Sequence, residues 1–271
     1  MTAHPILTVE GLVKRYRVSR LRGSGKEVAA VDGVSFSVFG GTTLALVGSS
    51  GSGKSTLALC LACLELPTSG RILFGGRDLA GLNERELRGV RPHIQMVFQD
   101  PALSLNPRYS VLELVSEPFA VQGRLAPKER EEQARTLLAR VGLSPEFAAR
   151  KSTELSGGQR QRIAIARALA LKPKVLILDE ALSALDCSVQ AQIANLLLEL
   201  RSAFGLTMIF ITHDLSMAAH LADEIAVMNR GQIVELASVE KILRCPDHTV
   251  TRSLLGAMPR IGATGSNMAT L

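Results

Sequence analysis

Residues 43–56 read TLALVGSSGSGKST. Thr43–Val47 is a short apolar strand, Gly48–Gly53 is glycine and serine alone, and from Lys54 to about Leu64 the composition turns helical. The stretch Gly48–Thr56 contains G-x-x-x-x-G-K-[ST], and the strand before and helix after are the context that gives this pattern its meaning. The loop Gly48, Ser49, Ser50, Gly51, Ser52, Gly53 can curl so that successive N–H groups point inward at phosphate oxygens. The start of the following helix adds its partial positive charge. Lys54 is expected to reach the β- and γ-phosphates of a nucleotide, and the Ser55 hydroxyl, beside Thr56, to ligate Mg²⁺. A flexible Gly/Ser turn would leave the lysine, the serine and both flanking elements unexplained.

Outward from the cradle, three more apolar runs end in polar groups. VLILDE (175–180) closes on Asp179, a candidate Mg²⁺ ligand through water, and Glu180, a candidate base for an attacking water. IQMVF (94–98) is followed by Gln99, and TMIFIT (207–212) by His213. Between the runs at 174–179 and 207–212 lies the amphipathic SVQAQIANLLLELRSAF, and a strand–helix–strand order with fully apolar strands predicts a parallel sheet covered on both faces. Ligands of such sheets bind beyond the carboxyl ends of the strands, where these polar groups stand. Residues 6–47 read as β-rich, Pro101 to about Val141 as helical with Gly142 at the C-cap, and the tail after Arg244 as less regular.

A second anion site is built like the first. LSGGQRQRIAIARAL (155–169) begins with Leu155 and the good N-cap Ser156, followed by Gly157 and Gly158, which leave first-turn N–H groups uncovered, and by Gln159. Ile163, Ala166 and Ala170 stripe one face of the helix. One nucleotide has one γ-phosphate, and the cradle takes it; a second site makes sense if it serves a nucleotide held by another copy. The plainer alternative is a capped helix whose glycines allow close packing.

In this order the motifs resemble an ATP-binding cassette (ABC) transporter ATPase over residues 6–244, with 245–271 as a C-terminal extension. Gly48–Thr56 match its Walker A motif, Gln99 its Q-loop, Leu155–Gln159 its LSGGQ signature, Val175–Glu180 its Walker B, and Ser183–Asp186 its D-loop with Asp186 as the last residue. His213 matches its switch histidine and Tyr16 the aromatic residue that stacks on adenine. The resemblance implies an α/β P-loop NTPase fold. Its RecA-like parallel-sheet core carries an antiparallel β subdomain and an inserted α-helical subdomain at about 100–166. It implies ATP and Mg²⁺ as cofactors, with Ser55, Gln99 and Asp179 toward the metal and Glu180 and His213 as the catalytic pair. The family works as two cassettes head to tail, each signature closing on the partner's nucleotide; the partner here is a second ATPase subunit, identical or related. FQDPALSLNPR (98–108) and PDHTVTRSLLGAMPR (246–260) resemble the peptide and nickel importer branch. That branch adds two integral membrane permease subunits and, indirectly, an extracytoplasmic solute-binding protein, and places the chain at the cytoplasmic face of the inner membrane, peripherally. The chain departs from the pattern at Ala181 and Leu182, where the family has Pro-Thr, and in having Thr249 and Val250 near the tail's usual Tyr.

Composition narrows the alternatives. No stretch approaches the roughly 18 consecutive apolar residues of a membrane span. The start MTAHPILTVEGLVKRY lacks a secretory pattern, which predicts a cytosolic protein. Six basic residues between Lys14 and Lys26 contribute to a net charge of +6. With no Trp and two Tyr, however, stacking platforms for nucleic acid are lacking, and a solvated basic loop is expected. Cys60 and Cys63 form C-x-x-C inside an apolar helical run without a second pair, so they read as small buried hydrophobes; Cys245 stands alone, so no iron–sulfur cluster is expected. A soluble ABC ATPase acting on ribosomes or DNA would carry fused cassettes or long coiled-coil insertions, which are absent from this sequence. Glu180, His213 and the intact signature speak against a non-hydrolysing regulatory cassette.

Overall fold

The computed structural model describes residues 4–18, 26–123 and 125–257. Strands β1 (Pro5–Val18) and β2 (Lys26–Phe39) pair antiparallel, and β4 (Ser69–Phe74) and β5 (Arg77–Asp78) complete a four-stranded antiparallel sheet in the order β2-β1-β4-β5. The second sheet has six strands in the order β10-β9-β3-β8-β7-β6, formed by β3 (Thr43–Val47), β6 (Ile94–Val97), β7 (Val175–Asp179), β8 (Thr207–Thr212), β9 (Glu224–Asn229) and β10 (Gln232–Ser238). All neighbours in it are parallel except the β9–β10 edge.

Strands β3, β7 and β8 are buried at every position. The period of two explains how. On β7, Leu176 and Leu178 join one core and Val175 and Ile177 the other; on β8, Met208 and Phe210 oppose Ile209 and Ile211. One core lies beneath α4 (Val111–Gln122), α5 (Pro127–Arg140), α6 (Gly157–Leu169) and α7 (Cys187–Phe204). The other lies between the two sheets and around α1 (Lys54–Leu61) and α2 (Glu84–Val90). A third, smaller core sits under α8 (Leu215–Leu221), α9 (Val239–Arg244) and α10 (Thr249–Gly256). Ile163, Ala166 and Ala170 are all buried, as the helical stripe requires. No described helix is long and apolar enough to cross a membrane.

Four local expectations change. Helix α1 ends at Leu61, because the chain turns through Cys63 at φ 55°; both cysteines are nevertheless buried, and burial pushes each thiol up to about 11. The helical run expected from Pro101 is three helices, α3 (Pro101–Ser104), α4 and α5, because Ser110 and Pro127 start new ones. Lys14–Val18 continues β1 rather than forming a loop; residues 19–25 of that basic segment lie outside the described ones. The tail contains a regular helix, α10, pinned to β10 by the buried Glu235 carboxylate, which accepts from Asp247 N at 2.8 Å, His248 N at 3.0 Å and the Thr251 hydroxyl.

Candidate functional site

Strand register sets the site. Val47 pairs with Thr212, Ile211 with Asp179, and Leu178 with Val97. The carboxyl ends of β3, β8, β7 and β6 therefore stand side by side, and the groups that follow them share one edge.

The phosphate loop is set by close packing on one side. Gly53 takes φ 105°, and a Cβ there would strike the main-chain oxygen of Ala30 on β2, so only glycine fits. The turn after β9 backs the loop, with Gly231 N donating to Ser52 O at 2.9 Å. Ser49, Ser50, Gly51 and Ser55 line the exposed rim, Thr56 is half-buried, and Gly48, Ser52 and Lys54 are buried. The Lys54 ammonium donates to Gly48 O and Ser49 O, both at 2.9 Å, and to Ser52 Oγ at 3.4 Å. It thus occupies the centre of the loop. Burial holds its pKa below the usual lysine value, against the pull of Glu180 and Asp179.

Asp179 ends β7 and accepts from the Ser55 hydroxyl at 3.0 Å. Burial pushes its carboxyl above the ordinary range and Glu180 adds to this, while Ser55 and Lys54 oppose it. Glu180 follows at φ 44°, a left-handed conformation rare for a residue with a side chain and a mark of strain retained at functional sites. The strain is held by Glu180 N donating to Ile211 O at 3.0 Å and by the Ser183 hydroxyl donating to Glu180 O at 2.9 Å. Gln99 Nε2 donates to Glu180 Oε2 at 3.2 Å, and His213 Nδ1 lies 3.7 Å from the same oxygen. Glu180 Oε1 carries no hydrogen bond among the described residues. The structure thus brings Gln99, Glu180 and His213 together, and Ser55 with Asp179; Gln99 is bonded to Glu180, not to the Ser55–Asp179 pair.

Other predicted residues stand apart. The Tyr16 hydroxyl donates to Glu65 Oε2 at 2.8 Å, and Lys14 pairs with the same carboxylate at 2.7 Å, its ammonium 5.1 Å from the Tyr16 ring centre. Glu65 gave no signal in the sequence, because only the approach of β1 to the chain after α1 makes it relevant. Ser156 caps α6 in a capping box: Gln159 N donates to Ser156 Oγ at 3.3 Å and Gln159 Oε1 accepts from Ser156 N at 3.0 Å. Leu155 is buried, whereas Ser156 and Gly157 are exposed. Among the described residues no hydrogen bond joins Ser156–Gln159 to the Gly48–Thr56 loop of the same chain. Gly157 is exposed, though a Cβ on it would lie 3.2 Å from Leu185 Cδ2, while a Cβ on Gly158 would lie 2.6 Å from Val189 Cγ1 on α7. Asp186 is exposed at the N-cap of α7 without a side-chain capping bond.

The profile of the family described as ABC transporter matches residues 31–183. The chain is 50% identical, over 94% of its length and 72% of the relative's, to the probable peptide ABC transporter ATP-binding protein y4tS of Sinorhizobium fredii. It is 50% identical, over 89% and 73%, to the oligopeptide transport ATP-binding protein AppF of Bacillus subtilis. Among solved structures, a post-hydrolysis dimer of the ATP-binding cassette MJ0796 bound to ADP and Pi superposes with TM-score 0.78 at 30% identity, covering 86% of this chain and 98% of that one. The cbiO1 protein of Clostridium perfringens, part of the cbiONQ ABC transporter complex, gives 0.77 at 32% identity, covering 95% and 97%. The chain belongs to the ABC transporter family as an ATP-binding, ATP-hydrolysing subunit.

Proposed function

We propose that the chain is the ATPase subunit of a peptide importer, peripheral to the cytoplasmic face of the inner membrane. In this reading it works with a second cassette, two integral membrane permease subunits and, through them, an extracytoplasmic solute-binding protein. Residues 6–244 form the cassette, and about 100–166 act within it as a helical subdomain. The observation that carries the chemistry is the Glu180 carboxylate on a strained backbone, with one oxygen bonded by Gln99 and near His213 and the other open. Glu180 takes the proton of the attacking water through the open oxygen, and His213 and Gln99 hold the carboxylate in place. Lys54 and the N–H groups of the loop bind the phosphates, Tyr16 stacks on adenine, and Leu155–Gln159 with Asp186 close on the nucleotide of the partner cassette.

The residues fit Mg²⁺. Ser55 and Asp179 offer adjacent hard oxygen donors, and a carboxylate that burial pushes upward is one that a nearby cation relieves. Ser55 and Asp179 would hold the ion, with Gln99 able to join them if it leaves Glu180. When bound, the ion neutralises charge developing on the phosphate oxygens.

Peptide is favoured as cargo by the likeness to peptide and oligopeptide transport ATP-binding proteins; a nickel chelate is the other outcome of a transport test. Docking to the permeases is assigned to the cleft of about 330 Å³ between β6 and α4, rimmed by the exposed Phe98 and Val121. The experiment is affinity purification of the chain from native membranes. The expected result is co-elution of two polytopic subunits and ATPase activity stimulated by peptide-loaded binding protein. Recovery with ribosomes or DNA overturns the reading, as does a turnover rate untouched by Glu180→Gln.

A further inference from the structure

Gln161 lies one turn into α6 and is 1% exposed, yet neither its Oε1 nor its Nε2 has a hydrogen-bond partner among the described residues. Buried side-chain amides without a protein partner are rare in folded proteins, and an apolar side chain of similar length would fill the position. The amide borders a cavity of about 290 Å³ whose walls include Gln99 and Asp100, Gly157, and Ala181 and Leu185. Those walls come from three segments: the loop leaving β6, the start of α6, and the loop that leaves β7 through Glu180. Each carries a group that the proposed function places on nucleotide.

We propose that Gln161 is a positioning residue for ATP hydrolysis. When bound nucleotide draws α6 inward, its amide pairs with main-chain groups of the Gln99 loop and of the Ala181–Leu185 segment. It then fixes Glu180 and the start of α6 relative to each other. An amide unpaired in one arrangement and paired in the other disfavours the first, and a ligand selecting the second gains from that difference. The inference rests on the reading of Glu180 as base.

Gln161→Met keeps the length and removes both polar atoms. In the full chain, purified with the subunits it assembles with, the expected result has three parts. The nucleotide-free Tm is unchanged or higher, KM for ATP is unchanged, and kcat falls about ten- to a hundredfold through misplacement of the reacting groups. Gln161→Asn, a shorter amide, recovers part of the rate. Wild-type kcat in Gln161→Met overturns the proposal, as does a lowered Tm with intact turnover, which is the signature of a purely structural amide. If the Met protein does not fold, Gln161→Ala reads the same kcat in its place. Glu180→Gln is measured in parallel. Turnover surviving there overturns the assignment of the base, whereas turnover lost there and kept in Gln161→Met overturns the role of Gln161 alone.

Discussion

At the scale of single residues, the site holds charges at a cost to folding. Asp179 is buried, and its carboxyl pKa is raised in the folded protein. A raised carboxyl binds its proton more tightly folded than unfolded, so the ionised form weakens the fold above the folded pKa. The burden disappears as pH falls below the unfolded value. Asp179→Asn therefore raises the nucleotide-free Tm at pH 7, while loss of the carboxylate lowers kcat by about 10²–10³. Calorimetry and an ATPase assay on the same preparation check the pair; a lower Tm contradicts the burial argument. Glu180→Gln keeps the side chain's shape and its neighbours but removes the proposed base. A fall of about 10²–10⁴ in kcat with ATP binding intact is expected from steady-state kinetics and a binding titration.

At the scale of elements, two contacts decide how far the sequence can be read. Strands β3, β7 and β8 were legible because burial on both faces leaves nothing but apolar residues in them. The short strands β4 and β10 were not, because each is partly exposed and takes its form from its neighbours. Helix α6 was legible from its N-cap Ser156 and the stripe of Ile163, Ala166 and Ala170. Helix α10 was not, because it has eight residues, an unusual His248 cap and an anchor at Glu235 on another element. Burial acts to raise the Glu235 carboxyl, but the bonds from Thr251, Asp247 N and His248 N outweigh it and hold the pKa below the ordinary value. A lowered carboxyl contributes stability that is present above the unfolded pKa of about 4.3 and is lost as pH falls through the folded value. Glu235→Leu leaves those donors unpaired, costs about 1–3 kcal/mol, and speeds hydrogen exchange across 249–256 at pH 7; unchanged exchange there would show that α10 is held by its apolar face alone. The second contact is Gly158 against Val189, where a β-branched side chain cannot swing away. Gly158→Ala should cost about 1–3 kcal/mol by overpacking, measurable by urea unfolding, and should tilt the start of α6 away from α7.

At the scale of the whole molecule, the Gly48–Thr56 loop and the start of α6 share no hydrogen bond among the described residues of one chain. The phosphate loop is completed by Asp179 and Glu180 of its own chain, whereas Ser156 and Gly157 face solvent without a bond to that loop. Gly157 and Leu185 are near enough that a Cβ on the glycine would lie 3.2 Å from the leucine side chain. The exposed Ser156 and the exposed Ser183, Ala184 and Asp186 therefore flank one exposed seam. If the seam closes on a partner's nucleotide, its residues are dispensable for binding ATP to the chain that owns them and indispensable for association. In the isolated chain, Lys54→Ala should abolish ATP binding and Ser156→Arg should leave the Kd for ATP unchanged. Loss of the Ser156 cap costs only about 1 kcal/mol, too little to unfold a domain of this size. In a Glu180→Gln background, where turnover is blocked, ATP should draw the chain into a cassette pair detectable by sedimentation, and adding Ser156→Arg should prevent it. A Ser156→Arg chain that loses ATP binding as completely as Lys54→Ala would place the signature on its own nucleotide and remove the reason for a second cassette.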